Sequence, residues 1–118
     1  MGAITCCIRY TIAPGKTAEF EHYARIWKRI IERVGGTYRG CFLPGERPPD
    51  ASHFSFPEIG RDGPADVATV IFSFPDLPAY ESYRTEAPND PECPEVTAFF
   101  RKTKCFTSYE RTFVRAVK

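Results

Sequence analysis

Lys16-Thr-Ala-Glu-Phe-Glu-His-Tyr-Ala-Arg-Ile-Trp-Lys-Arg-Ile-Ile-Glu-Arg-Val34 is the stretch whose reading decides the fold. Phe20, Tyr23, Ala24, Trp27, Ile30, Ile31 and Val34 recur at gaps of three and four, which puts them on one stripe of an α-helix. His22, Arg25, Arg29, Glu32 and Arg33 fall on the opposite, watery side. Thr17 is the expected N-cap. Glu19 and Glu21 near the start, with Lys28, Arg29 and Arg33 towards the end, suit the helix dipole. Gly35 and Gly36 supply the stop. A stripe this wide needs a flat apolar partner, so the flanking sequence is read for strands.

Before the helix, Ala3 to Ile12 alternates. Ile4, Cys6, Ile8, Tyr10 and Ile12 form one apolar face, and Thr5, Cys7, Arg9 and Thr11 the other. Thr37 to Leu43 reads as a second strand, with Tyr38, Gly40 and Phe42 on one face and Gly40 suggesting a bulge. Residues 44–65 carry five prolines, which exclude a central strand. Loops of this length are usually functional or disordered, and His53, Phe54 and Phe56 imply that part of this one packs down. Val67 to Phe74 is almost wholly apolar and reads as a central strand covered on both faces. Asp76 caps a short helix from Leu77 to Ala87, and a further turn or two runs from Glu95 to Lys102. Cys105 to Ala116 is the last strand, with Phe106, Ser108, Glu110, Thr112 and Val114 alternating against Cys105, Thr107, Tyr109, Arg111 and Phe113.

Strand, helix, strand, strand, helix, strand predicts an α+β fold: a ferredoxin-like βαββαβ sandwich whose antiparallel sheet carries its helices on one face. The chain of 118 residues is expected to be one domain, 1–118. The other sheet face would hold Cys7, Arg9, Thr69 or Val70, Ile71 or Phe72, and one alternate set from the last strand, too much of it apolar to leave in water. A two-fold homodimer through that face is therefore predicted.

A net charge of +1 gives no electrostatic footprint for nucleic acid or an anionic membrane, and no apolar run approaches a membrane span. Met1 to Ile12 lacks a basic lead and a small-residue cleavage site, so a cytoplasmic protein is expected. Adjacent Cys6 and Cys7 would point to opposite faces, and no Cys-x-x-Cys occurs, so the five cysteines read as reduced thiols and no metal site is expected. There is no Gly-x-Ser-x-Gly, phosphate-cradling glycine loop or dinucleotide fingerprint, and no motif calls for a cofactor.

Tyr10 to Phe20 (YTIAPGKTAEF), Gly35-Gly36, Pro57-Glu58-Ile59-Gly60 and Ser108 to Arg115 (SYERTFVR) together resemble the NIPSNAP family. The resemblance implies the dimeric α/β-barrel version of the ferredoxin-like fold and no family-wide catalytic residue. The family usually has a short connection where this chain has residues 44–56, an Arg at the position of Ile8, and a His at the position of Val70. The wider group of dimeric α/β barrels includes cofactor-free monooxygenases, haem-degrading enzymes and small isomerases.

Candidate site residues follow from side-chain chemistry. Arg9 and Arg111 suit a carboxylate or enolate, the plainer alternative being an ion pair with Glu110 or Glu58, or solvent. Tyr10, Trp27, Tyr38 and Tyr109, with Phe72 from the apolar strand, would line a cleft between helix and sheet, or else fill a core. His53 is a candidate base in the long loop, or a plain surface histidine, and His22 is set aside on the solvated helix face. Three functions remain open: a homodimer binding a small apolar or aromatic molecule, a cofactor-free monooxygenase or isomerase, and a dimerisation module without a ligand.

Overall fold

The computed structural model describes residues 2–51 and 53–118. The elements run β1 (Ile4–Ile12), α1 (Thr17–Arg33), β2 (Thr37–Phe42), β3 (Val67–Phe74), α2 (Leu77–Glu86), a 3-10 turn (Ala87–Asn89), α3 (Cys93–Thr103) and β4 (Phe106–Val114). The strands form one antiparallel sheet in the order β2-β3-β1-β4, so β1 and β3 are central and the topology is ferredoxin-like. All three helices lie on one face, and the molecule is only 18 Å thick along its shortest axis.

α1 starts one residue earlier than its capping chemistry suggested. Lys16 is the N-cap and makes no side-chain cap bond, while Thr17 is already helical. At the other end Gly35 takes a φ of +93°, which L side chains avoid. Gly36 donates its backbone N–H to Ile31 O at 2.9 Å, and a Cβ there would lie 2.6 Å from Ile31 Cγ2. The buried stripe of α1 is wider than the spacing implied. Phe20, Ala24 and Ile31 face the sheet, whereas Ile26 and Ile30 pack against Ala87 and Val96. α3 is thus a full helix of 11 residues on the flank of α1, with Pro94 in its first turn where proline is tolerated. Salt bridges lock that flank. Arg33 donates to both oxygens of Asp90 at 2.9 and 2.6 Å and to Glu92 at 2.8 Å, and Arg29 donates to Glu92 at 3.0 and 2.7 Å.

Asp76 caps α2 as expected, accepting from the Ala79 backbone N–H at 2.9 Å. α2 nevertheless buries no residue completely. The long loop folds on itself rather than on the core. Phe54 packs against Gly60, Arg47 pairs with Asp62 at 3.0 Å, and Phe56 and His53 are exposed.

Two register shifts redistribute side chains between the sheet faces. In β2 the shift lies between Tyr38 and Gly40, where Gly40 has a φ of +152°, so Tyr38 opposes Phe72 and Cys41 opposes Val70 on the helix side. Phe42 then opposes Thr69 on the outer face, not the face of Tyr38. In β4 the shift opposite Thr11 and Ile12 brings Phe106 to the same face as Tyr109, against the simple alternation. The outer face carries Cys7, Arg9, Thr69, Ile71, Phe42 and Val114, and no element among the described residues covers it. β3 is therefore covered on one face only.

Candidate functional site

The sheet-facing core comes in two pieces. Ile12, Phe20, Ala24, Ala68, Cys105 and Phe106 form one cluster, and Cys6, Ile31, Val70, Phe72 and Phe74 form another. Between them lies a cavity of about 720 Å³, roofed by the helices and floored by the sheet. Tyr10 touches both clusters across the gap. A normally packed interior leaves few voids larger than a water molecule, and small-molecule sites fall in the range of about 300–1,000 Å³.

Each element contributes to the wall for a local reason. β1 alternates, so Cys6, Ile8 and Tyr10 point to the helices together. α1 adds Tyr23 and Trp27 one turn apart, and α2 adds Tyr80, Tyr83 and Arg84 at gaps of three and four. From β4 come Tyr109, opposite Tyr10, and Arg111, opposite Ile8. All six tyrosines and the single tryptophan of the chain line this one cavity. The rings interlock. Tyr10 lies 4.9 Å from both Phe20 and Phe106 and 5.7 Å from Tyr109, centroid to centroid, while Tyr83 lies 5.8 Å from Phe72. The β4 side is open, with Tyr109 62 % and Phe113 50 % exposed.

The wall's electrostatics are one-sided. Arg84 and Arg111 line the cavity and no carboxylate does. Neither arginine forms an ion pair or a side-chain hydrogen bond among the described residues, although Arg111 stacks 5.1 Å from the Phe113 ring. Burial holds Tyr10 well above the usual phenol range and raises Tyr23 and Tyr38 likewise; it pushes Tyr83 up to about 12. The Cys6 thiol is also raised by burial, although Arg111 and Arg84 pull the other way. These groups are hydrogen-bond donors at neutral pH, not bases. The indole N–H of Trp27 is buried and meets no hydrogen-bond partner among the described residues.

Of the residues singled out from sequence, Tyr10, Trp27, Tyr38, Phe72, Tyr109 and Arg111 come together in this wall. Arg9 does not. It lies opposite Thr69 and Glu110 on the outer face, because β1 alternates and its neighbours Ile8 and Tyr10 take the inner one. Arg9 and Arg111 therefore cannot flank one pocket. His53 is an exposed loop residue outside the wall, and His22 stacks on Phe99 at 4.6 Å on the α1–α3 flank. Sequence reasoning missed Arg84 and Tyr83 as site residues. The spacing Tyr80, Tyr83, Arg84, Ala87 was the signal for a shared inward face. Among the described residues no three His, Cys, Asp or Glu side chains cluster as metal ligands, and no helix is long and apolar enough to cross a membrane.

Comparison with known proteins agrees with this architecture. The fold is similar to that of a NIPSNAP-like domain protein from Burkholderia xenovorans, with a TM-score of 0.66 and 19% identity over 98% of this chain and 85% of that one. A NIPSNAP family protein of unknown function from Agrobacterium tumefaciens superposes with a TM-score of 0.70 at 14% identity, over 98% of this chain and 89% of the other. SnoaB, a cofactor-independent oxygenase from Streptomyces nogalater, shares the fold more distantly, with a TM-score of 0.58 and 18% identity over 100% of this chain and 96% of its own. No curated protein matches the chain in sequence. The sequence itself matches the NIPSNAP family over residues 6–118, and the chain belongs to that family.

Proposed function

We propose that this protein binds a planar aromatic, largely apolar small molecule in the cavity between its helices and its sheet, and does so as a homodimer. The observation that carries the reading is the wall itself: a space of about 720 Å³ lined by every tyrosine and the only tryptophan of the chain. Aromatic rings offer large apolar area at low conformational cost, and tyrosine adds a donor at the rim of each ring. A chain whose only task was assembly would gain nothing from a void here, since each missing contact costs packing energy.

Support for the dimer comes from the outer sheet face. Cys7, Ile71, Phe42 and Val114 lie there among threonines, and Phe42 is 57 % exposed. A two-fold pairing of such faces buries the same patch on both copies. Arg9 opposes Glu110 in the register, so charges of both signs lie on this face.

An enzymatic reading has one supporting observation, the pair of arginines in a wall without carboxylates. Arginine suits a developing oxyanion. Burial holds Tyr10, Tyr23, Tyr38, Tyr83 and Cys6 protonated, so proton removal at these groups would fall to the substrate's own acidity. The fold shared with SnoaB is compatible with such chemistry and does not establish it.

Trp27 is the only tryptophan and lies in the wall, so its fluorescence reports occupancy directly. Titration with 2-methoxyanthraquinone, a neutral three-ring probe, is expected to quench it with saturation at one probe per chain. Absence of saturable quenching would reject the binding reading.

A further inference from the structure

Resting on that binding reading, we infer that the cavity takes its aromatic ligand as an anion, with a carboxylate or an ionised phenol or enol oxygen held between Arg84 and Arg111. Both guanidinium groups come from different elements, α2 and β4, yet reach the same end of the cavity. Arg111 lies 5.1 Å from the Phe113 ring, that ring lies 5.7 Å from Tyr80, and Tyr80 stands one helical turn before Arg84, so both arginines sit beside the cluster of Cys6, Phe72 and Phe74. The sheet register supports the placement, since Arg111 lies opposite Ile8, one side chain along the inner face from Cys6.

Arg25, Arg29, Arg33 and Arg47 each meet a carboxylate, whereas Arg84 and Arg111, like Arg9, Arg39, Arg61, Arg101 and Arg115, meet none among the described residues. Arg84 and Arg111 differ from the other unpaired arginines in lining the cavity. Two unpaired cations at one end of an aromatic slot form a site with a missing charge. A ligand carboxylate or oxyanion supplies it, accepting N–H bonds that the two planar guanidinium groups donate. The groups facing this end are Cys6 from β1, Tyr80 and Tyr83 from α2, and Tyr109 from β4, and none of them is a carboxylate.

A phenol or enol ligand is expected to ionise on binding. The ligand O–H bond breaks, the proton leaves to bulk water, the electron pair stays on the oxygen, and no oxidant or reductant takes part. An opposite charge within a few ångströms lowers an acid's pKa by about one to three units, and the open β4 side argues for the lower end of that range.

The test uses 2-hydroxyanthraquinone, whose phenol and phenolate differ in visible absorption, beside 2-methoxyanthraquinone, which cannot ionise. In the wild-type protein the bound hydroxy probe is expected to ionise about one pH unit below the free probe, with about tenfold tighter binding of the phenolate than of the phenol. In Arg84→Gln/Arg111→Gln both advantages vanish, while binding of the methoxy probe persists and proves the variant folded. If both probes bind alike, with no acid shift, the anion site is overturned and the aromatic cavity stands. If the methoxy probe fails to bind the wild-type protein, the binding reading falls, and this inference with it.

Discussion

Replacing Ile8 with phenylalanine tests whether the space above the central strand is real. Ile8 points to the helices from β1, is only half-buried and lines the cavity between Cys6 and Tyr10. In an interior packed to normal density, a larger side chain forces neighbours off their rotamers and costs about 1–3 kcal/mol. Here the added ring has room in about 720 Å³. Phenylalanine carries three more side-chain carbons than isoleucine. At ~0.8 kcal/mol per buried methylene their full burial is worth about 2 kcal/mol, and half burial about 1 kcal/mol. Both residues favour strands, so backbone propensity does not decide the outcome. The expected result in ligand-free protein is a urea midpoint shifted upward by about 1 kcal/mol of stability and a Tm higher by about 4 °C. The same variant should bind 2-methoxyanthraquinone more weakly, because the ring occupies its space. Destabilisation by more than about 1 kcal/mol would show that the site is already filled, and would refute the cavity.

Other consequences follow from the same structure. Asp90 and Glu92 are held below the usual carboxylate range by their bonds to Arg33 and Arg29, Glu92 at about 2. Their contribution is therefore complete above the ordinary carboxylate pKa and is lost as pH falls through the folded values; urea midpoints measured from pH 5 to pH 2 should fall less steeply in Asp90→Asn than in wild type. At the alkaline end Tyr10, Tyr23, Tyr38 and Tyr83 have raised pKa values, so their stabilisation is present below the ordinary phenol pKa and is lost as pH rises through the folded ones, about 12 for Tyr83. Ultraviolet titration should then show these phenols ionising late, and together with unfolding. Gly35→Ala should cost about 1 kcal/mol by urea denaturation, because φ at that position is +93°. Ile71→Lys, on the uncovered face of β3, should convert a dimer to a folded monomer by light scattering with an unchanged circular dichroism spectrum.

Periodicity carried the architecture. The apolar stripe of α1, the run Val67–Phe74 and the cap at Asp76 were legible because each rests on local rules: side-chain spacing, composition and one side-chain acceptor. The sheet faces were less so. A single-residue shift reverses every later side chain, and in β4 it lies between residues that are themselves chemically mixed, so Phe106 and Tyr109 were assigned to opposite faces. Gly40 announced its own bulge, yet the consequence for Phe42 became visible only in the register. α3 was undercut because Pro94 reads equally as a start and as a break. The site was half legible. Tyr10, Trp27, Tyr38, Phe72, Tyr109 and Arg111 were chosen by type, but a void has no sequence signature, since aromatics that line a cavity and aromatics that fill a core have the same spacing. Arg84 was missed because its helix reads as a short surface element, and only the three-dimensional arrangement brings it to Arg111.

Native mass spectrometry after incubation with 2-methoxyanthraquinone tests the central claim most directly, because it reads subunit number and occupancy at once. The account predicts a species at twice the 13.4 kDa chain mass carrying one probe per chain. A bare species at the mass of a single chain, taking up no probe at any concentration, would contradict both the cavity's role and the pairing of the sheet faces.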